Sequence, residues 1–274
     1  MKKIFTDVLK VLVWCFVCFI GFIFLFLLIS SICGMTRSSS PSIREKPYEC
    51  GMFGHQQMRI DRRYLFLSKV EYQGVDYWGG NSTKAHEAKG CNDPISSADF
   101  IVSWPAMSPT GSFNYLEKPD DLDISLKQWV MSGPNKNDIK KRFEMQDMTY
   151  ELRSTLQKNI RGSAKEMSEQ EFKQKKRFNS ELGLYQIDVI EGEGHQTKVY
   201  WQETADKKVT LVISCLYFKM GRTSCNLKIN DLPDGSNMTS LQLDFQAGLL
   251  PHWQQLIQDS EKLIQSFTVK ERPL

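Results

Sequence analysis

The segment VTLVISCLYFKMGRTSCNLKI, residues 209–229, contains two strand-like runs on either side of a short turn. The first run, Val209–Tyr217, is rich in β-branched and aromatic residues, as strands are. A hairpin folded about Met220 places Cys215 directly opposite Cys225. Facing Cα atoms in such a pair lie about 4.5–5.5 Å apart, which is within disulfide range. The sequence therefore predicts an antiparallel hairpin closed by a disulfide.

Further strand-like runs lie on both sides of this hairpin, and those nearest to it are joined by short turns. Five consecutive strands at short spacing predict an antiparallel meander. Additional strand-like runs lie in the first half of the chain. The runs around the hairpin are Leu184–Ile190, Val199–Trp201 and Leu241–Gln246, and the earlier runs are Met58–Asp61, Tyr64–Leu67, Val70–Trp78 and Phe100–Trp104.

The chain ends with apolar residues that recur every three or four positions from Leu249 to Phe267. This period predicts an amphipathic helix whose apolar stripe covers the meander. The stretch 120–180 gives no clear pattern. Within it, Asp147–Gln174 is highly charged, which predicts either a short helix over 169–176 or a mobile insertion. We therefore expect residues 48–274 to form one α+β domain built on an antiparallel meander with a C-terminal amphipathic helix.

An uncharged segment near the start of the chain is long enough to cross a membrane. No charged residue occurs between Lys10 and Arg37, and Val11–Ile29 is apolar apart from Gly21. Nineteen helical residues span about 28 Å, close to the ~30 Å hydrocarbon core of a bilayer. The pattern predicts a short segment 1–10, a transmembrane helix at 11–32 and a polar tether at 33–47. Cleavage as a signal peptide or lipidation of Cys33 are the alternatives, and both are disfavoured because no small-residue processing site is present.

The cysteines indicate the compartment. Three of the seven, Cys15, Cys18 and Cys33, belong to the membrane stretch and the other four follow it. With Cys215 and Cys225 paired, elimination leaves Cys50 to pair with Cys91. A four-cysteine metal site is the alternative, but the short Cys-x-x-Cys spacing of zinc sites is missing. Disulfides favour an oxidising compartment, so we expect a single-pass protein of a bacterial inner membrane with residues 48–274 in the periplasm.

Charge and motifs exclude several functions. Lys and Arg number 35 against 32 Asp and Glu, which gives a net charge of +3 and argues against a nucleic-acid partner. The motifs of hydrolases, phosphate-binding loops, kinases and zinc proteases are not found, so we predict no catalytic residues, no metal and no cofactor. Aromatic residues dense in the first half are the candidate partner-binding residues: Tyr72, Tyr77, Trp78 and Trp104.

Several short stretches together resemble a group of Gram-negative envelope proteins. They are Ile60–Phe66, Ser103–Met107, Ile213–Cys215 with Cys225, and Trp253–Phe267. The proteins of this group are often encoded beside type VI secretion effectors, and several are immunity proteins against periplasmic toxins, including lipases. The resemblance implies a binding protein that covers a toxin's active site, and it assigns no toxin-contacting residue.

The hypothesis from the sequence is a membrane-anchored periplasmic domain that binds a protein partner, with the bilayer contacted through the N-terminal helix. The leading partner is a secreted toxin that the domain neutralises by steric occlusion. A structural or regulatory envelope protein that contacts another membrane complex is the alternative. A periplasmic hydrolase is a third reading, which the absence of motifs disfavours.

Overall fold

A computed structural model of the chain describes residues 46–75, 86, 88–110, 116–128, 148–158, 167–191, 195–218, 223–230 and 239–269. The predicted transmembrane helix at 11–32 lies outside these residues, as does most of the predicted tether at 33–47. The helices inside the described ranges are all too short or too polar to span a bilayer. Residues 47–274 form one compact unit.

The described residues form an antiparallel, sheet-rich fold with few helices. The strands are β1 Tyr48–Phe53, β2 Gln56–Asp61, β3 Leu65–Tyr72, β4 Ile95–Ser103, β5 Ser108–Pro109, β6 Asp121–Gln128, β7 Arg177–Asn179, β8 Leu184–Glu191, β9 His195–Glu203, β10 Val209–Phe218, β11 Ser224–Asn230 and β12 Thr239–Gln246. The helices are α1 Met148–Lys158, α2 Glu169–Lys175 and α3 Trp253–Ser266, and a 3₁₀ turn at Ala247–His252 leads into α3.

Ten strands form one sheet in the order β3-β4-β6-β12-β11-β10-β9-β8-β7, with β5 added beside β4, while β1 and β2 form a separate hairpin. Strands β8 to β12 are neighbours in sequence order, so the predicted antiparallel meander is present. The meander then joins the first half of the chain through the pairing of β12 with β6. The sequence predicts two separate strands at Tyr64–Leu67 and Val70–Trp78. In the structure both belong to the single strand β3, which ends at Tyr72. This strand is irregular at Leu67, where φ is 53°.

Both disulfides join the cysteines that the sequence pairs. Cys215 and Cys225 are register partners on β10 and β11, with Cα atoms 4.0 Å apart. Cys50 on β1 is bonded to Cys91, which lies just before β4, with Cα atoms 4.6 Å apart. The second bond ties the β1–β2 hairpin to the loop before β4, across 41 residues of sequence. Loss of such a link typically costs a small domain about 2–5 kcal/mol.

The C-terminal helix α3 covers one face of the sheet. Its buried side chains follow the spacing of three and four residues that the sequence predicts, and Phe267 at its end stacks on Phe100 of β4 with ring centroids 5.6 Å apart. Side chains alternate along a strand, so every second residue of the central strands points to this core. The main buried members are Phe100, Ile124, Leu126, Ile213, Leu227, Leu243, Phe245, Trp253, Leu256 and Leu263.

The opposite face of the sheet, which we call the outer face, is covered by α1 and α2 over one half only. Met148, Leu152 and Leu156 of α1 recur every four residues and pack on the apolar residues of β8, β9 and β10. The helix α2 is the one predicted over 169–176; the hydroxyl of Ser168 caps it by accepting from the backbone N–H of Glu171. The covered strand residues are Ile187, Val189, Val199, Trp201, Val209 and Val212.

Candidate protein-binding surface

A row of aromatic rings crosses the outer face at the β7–β8 end of the sheet. Phe178, Tyr185 and Trp201 are register partners on β7, β8 and β9, so the pleat places all three on the same face. Their ring centroids are 5.3 Å apart for Phe178 and Tyr185, and 5.9 Å apart for Tyr185 and Trp201. Phe172 of α2 continues the row, 5.6 Å from Trp201. We call these four residues the aromatic row.

The aromatic row runs from the interior to the protein surface. Trp201 is fully buried, whereas 59% of Phe178 is exposed at the edge of the sheet. An exposed phenylalanine contributes little to folding, because its burial is incomplete. Phe178 is therefore the member of the row that is available to another molecule.

A partly buried ion pair contacts the aromatic row. The ammonium group of Lys176, the residue between α2 and β7, lies 3.9 Å from the ring centroid of Tyr185 and 5.6 Å from that of Trp201. The same ammonium contacts both carboxylate oxygens of Glu203 at 2.7 Å, and the indole N–H of Trp201 donates to Glu203 Oε1 at 2.6 Å. A cation over an aromatic face contributes about 0.5–2 kcal/mol. The ammonium group, both carboxylate oxygens and the indole N–H therefore all have partners, which favours one orientation of Trp201.

An open cleft of about 520 Å³ lies between α2 and β8. Two ion pairs, Lys175 with Glu171 and Arg177 with Asp188, contribute charged groups to its walls. Positive and negative groups are therefore balanced in the cleft. The full lining is Met167, Glu171, Gln174, Lys175, Arg177, Asp188 and Val189.

The edge of β8 next to this cleft is only partly covered. Strand β7 is three residues long and pairs with β8 only at Leu184, Tyr185 and Gln186. Among the residues that the structure describes, no strand pairs with Ile187–Glu191 on the side opposite β9.

Of the four aromatic residues singled out from the sequence, the structure describes Tyr72 and Trp104. Tyr72 is buried, and its hydroxyl donates to the carbonyl oxygen of Cys50 at 2.6 Å, so it anchors the β1–β2 hairpin and does not present a surface. Tyr77 and Trp78 lie outside the described residues. Trp104 is half-buried near α3, with its ring 5.1 Å from that of His252.

Trp104 is held by a carboxylate of α3. Its indole N–H donates to Asp259 Oδ2 at 3.1 Å. Burial acts to raise the pKa of Asp259, but hydrogen bonds from Gln255, Trp104 and Lys262 outweigh it and lower the pKa of that carboxyl. Asp259 therefore stays charged and fixes the orientation of the indole.

The half of the outer face away from α1 and α2 carries three carboxyl groups on adjacent strands. Asp123 of β6 is the register partner of Asp244 on β12, and Asp99 of β4 lies one pleat away. Asp99 accepts from the hydroxyl of Ser125, and Asp244 accepts from the side-chain amides of two neighbouring residues. Burial, and then the charges of Asp244 and Asp99, raise the pKa of Asp123 to about 7. No group of His, Cys, Asp or Glu in the described part of the chain is arranged to hold a metal ion.

The sequence did not reveal the aromatic row. Phe172 and Phe178 lie in the charged stretch 169–181, and Tyr185 and Trp201 alternate like ordinary strand residues. They become neighbours only through the register of β7, β8 and β9. The available signal in the sequence is Phe178, an isolated apolar residue in a polar stretch. Such a stretch does not predict a buried strand, so an apolar residue within it indicates an exposed ring.

Comparisons with known proteins identify no family. No family model matches the chain, and no curated protein matches it. Two solved structures show weak similarity. The first is Smlt3025, an immunity protein of the Stenotrophomonas maltophilia type IV secretion system, which is 12% identical over 86% of this chain and 100% of that chain, with a TM-score of 0.42. The second is the Neisseria meningitidis iron-regulated outer membrane lipoprotein FrpD, which is 11% identical over 81% of this chain and 92% of that chain, with a TM-score of 0.30. Likenesses at this level assign neither a family nor a function to this chain.

Proposed function

We propose that this chain is a membrane-anchored protein whose domain lies outside the cytoplasm and binds a partner protein. The partner is a secreted toxin, which the domain neutralises by covering it, as an immunity protein does. The observation that carries the binding role is the aromatic row, which ends in the exposed ring of Phe178.

The chemistry of this surface suits protein recognition. Protein interfaces concentrate their binding energy in a few aromatic and arginine side chains that are already held in position. Tyr185 and Trp201 are fixed by Lys176 and Glu203, so binding at Phe178 costs little additional ordering. Arg177, next to Phe178 in β7, forms an ion pair with Asp188 and contributes charged groups at this edge of the sheet.

Two observations support the location. The disulfides Cys50–Cys91 and Cys215–Cys225 are bonds that persist in oxidising compartments. The apolar segment 11–29 in the sequence is long enough to anchor the chain in the inner membrane. Tethering keeps the domain close to the bilayer, which raises its local concentration where a lipid-attacking toxin acts. The resemblance seen in the sequence makes a type VI effector the expected source of that toxin.

The test is protection of cells from a toxin. The secreted protein encoded beside this chain is directed to the periplasm with and without the full-length chain, and cell survival is measured. We expect the wild-type chain to protect cells and to co-purify with the toxin. We expect the Phe178→Ala chain to protect poorly, because truncation of a central aromatic residue typically costs about 2 kcal/mol or more of binding.

The matched control is Leu67→Ala. Leu67 is also 59% exposed but lies on β3, at the other end of the sheet. The Leu67→Ala chain should protect cells like wild type. If the wild-type chain gives no protection, the immunity function is wrong. Alkylation of the thiols of Cys50, Cys91, Cys215 and Cys225 in intact cells would contradict the location.

A further inference from the structure

We propose that the Cys50–Cys91 disulfide is a site of thiol–disulfide exchange, which a dithiol opens by attack on Cys91 while Cys215–Cys225 stays closed. This exchange would change how the β1–β2 hairpin is held, and it is independent of the toxin-binding role. The juxtaposition that carries it is a disulfide with one cysteine on a partly exposed turn, next to a hairpin that other contacts also hold.

The two disulfides differ in their access to solvent. Cys215 and Cys225 are 0% and 1% exposed and belong to the hydrophobic core, so a reductant reaches their bond only when the core opens. Cys50 is also buried, but Cys91 is partly exposed and lies in a turn before β4, next to the exposed Asn92. Access to a sulfur is one of the factors that set the rate of exchange. Cys50–Cys91 is therefore the bond that can react in the folded chain.

The turn that carries Cys91 has hydrogen bonds of its own. The backbone N–H of Gly90 donates to Asp93 Oδ2 at 2.8 Å, and the backbone N–H of Asp93 donates to the carbonyl oxygen of Gly90 at 3.0 Å. The ammonium group of Lys89 lies 3.3 Å from Asp93 Oδ1. The turn therefore presents Cys91 in the folded state, and attack on this sulfur requires no unfolding.

The exchange consists of two displacements. A thiolate of the dithiol attacks Sγ of Cys91, the Cys50–Cys91 bond breaks, and Cys50 leaves as a thiolate that takes up a proton. The second thiol of the dithiol then displaces Cys91 from the mixed disulfide and closes the reagent's own disulfide. Two electrons pass from the dithiol to the protein, and its two protons are balanced by those taken up at Cys50 and Cys91.

Hydrogen bonds join the hairpin to the same turn on the β1 side. The backbone N–H of Met52 donates to the carbonyl oxygen of Asp93 at 2.8 Å, and the side-chain amide of Gln57 donates to the carbonyl oxygen of Cys91 at 3.2 Å. Packing here is close, because a Cβ atom at Gly51 would lie 2.8 Å from the carbonyl oxygen of Asp93. Opening the disulfide removes the covalent link and leaves this junction to hydrogen bonds that break one at a time.

The β2 side of the hairpin is held by the residues that follow α3. The backbone N–H of Arg59 donates to the carbonyl oxygen of Phe267 at 2.8 Å, and that of Val269 donates to the carbonyl oxygen of Gln57 at 2.8 Å. These bonds do not involve the turn, so the hairpin stays attached when the disulfide opens. The two thiols should therefore remain close and re-form the bond when the dithiol is removed. Since β1 is the first strand after the predicted tether at 33–47, the redox state of this bond sets how firmly the start of the domain is held.

The first test measures the order of reduction. The full-length chain in a mild detergent is treated with dithiothreitol and quenched with N-ethylmaleimide, and labelling at each cysteine is measured by mass spectrometry. We expect an intermediate labelled at Cys50 and Cys91 with Cys215–Cys225 intact, and a rate of reduction at least about tenfold higher for the first bond. In 1 M urea the rate for Cys50–Cys91 should change by less than about 1.5-fold, whereas that for Cys215–Cys225 should rise about fivefold or more, because urea promotes opening of the core.

The second test locates the attack and its consequence. With glutathione as a monothiol and an acid quench, we expect the mixed disulfide on Cys91. After reduction, hydrogen exchange within the first minutes should be faster at the amide of Met52 and unchanged at those of Arg59 and Val269. The control is the chain with both Cys50→Ser and Cys91→Ser, which should show the fast exchange at Met52 without dithiol and no further change with it.

Four results would each overturn the proposal. They are reduction of Cys215–Cys225 as fast as Cys50–Cys91, the same acceleration of both by urea, glutathione attached mainly to Cys50, and dithiol-dependent exchange at Met52 in the chain with both serine substitutions.

Discussion

The two halves of the outer face of the sheet differ although they belong to the same pleated surface. Over β8, β9 and β10 the outward residues are apolar and lie under α1 and α2, with Trp201 fully buried. Over β4, β6 and β12 the outward residues include Asp99, Asp123 and Asp244, and no helix in the described part of the chain packs on these three carboxyl groups. Strand alternation decides which residues share a face, and the helices decide which part of that face can be apolar.

The largest expected change in the free energy of unfolding comes from a substitution in the apolar half of the outer face. Trp201→Ala removes the central ring of the aromatic row and leaves a cavity beneath α1 and α2, so the free energy of unfolding should fall by about 3–5 kcal/mol. Urea denaturation followed by circular dichroism measures it. Tyr150→Ala is the control, because Tyr150 of α1 is 48% exposed, and its change should stay below about 0.5 kcal/mol. A loss under about 1 kcal/mol for Trp201→Ala would show that the helices do not depend on this ring.

In the half that carries the three carboxyl groups, a substitution should raise the free energy of unfolding, whereas Trp201→Ala lowers it. Asp123 has an ordinary pKa of 3.8 that rises to about 7 in the folded chain, so the folded state binds the proton more tightly. The free energy of unfolding therefore falls as pH rises from about 4 to about 7, where the buried charge appears. Asp123→Asn removes that charge, and its amide can donate to Asp244. We expect this variant to be more stable than wild type by roughly 1–3 kcal/mol at pH 8.

This gain should disappear as the pH is lowered below about 4, where Asp123 is protonated in both states. Unfolding curves measured at pH 4, 6 and 8 test this dependence. Asp206→Asn is the control, because hydrogen bonding from Thr204 lowers the pKa of the exposed Asp206, and its substitution should give no gain at pH 8. A gain for Asp123→Asn that is equal at all three pH values would contradict the assignment of the charge.

A smaller effect on stability is expected from an ion pair between α1 and β11, where the two halves of the outer face meet. Lys228 of β11 reaches across to Glu151 of α1, with Nζ 2.7 Å from Oε1. Both side chains are partly exposed, so a double-mutant cycle with Lys228→Ala and Glu151→Ala should give a coupling energy of about 0.5–1 kcal/mol. The coupling should shrink when the ionic strength is raised. A coupling near zero at low salt would mean that this ion pair does not hold α1 over the sheet.

The smallest effect on stability is expected at the exposed end of the aromatic row. Phe178 contacts Tyr185 edge-on but is largely exposed, so Phe178→Ala should lower the free energy of unfolding by less than about 0.5 kcal/mol. Thermal unfolding compared with wild type measures this. A loss above about 2 kcal/mol would make Phe178 a structural residue, and its effect on binding would then be uninformative.

The sequence predicted much of the architecture because its signals are local. Alternation along β12 and the three-and-four spacing of α3 depend on neighbouring residues, and both elements are present. The pairing of Cys215 with Cys225 followed from one turn, and the pairing of Cys50 with Cys91 followed from it by elimination. The sequence did not predict that β12 pairs with β6, because no local pattern reports the contact between strands more than 100 residues apart.

The candidate site was not predictable for the same reason. Phe178, Tyr185 and Trp201 form a row only when three strands adopt one register. Tyr72 was chosen from its residue type, but its hydroxyl lies where it can bond the carbonyl of Cys50, and it is buried. Residue type indicates what a side chain can do at an interface, whereas long-range pairing decides whether it reaches one.

The most direct test of the binding surface is the affinity of the full-length chain for the secreted protein encoded beside it. Isothermal titration of that protein into wild-type, Phe178→Ala and Leu67→Ala chains gives three dissociation constants. We expect Phe178→Ala to raise the dissociation constant by roughly 10–100-fold, and Leu67→Ala to change it by less than about twofold. Equal dissociation constants for the Phe178→Ala and wild-type chains would contradict the assignment of the aromatic row as the binding surface.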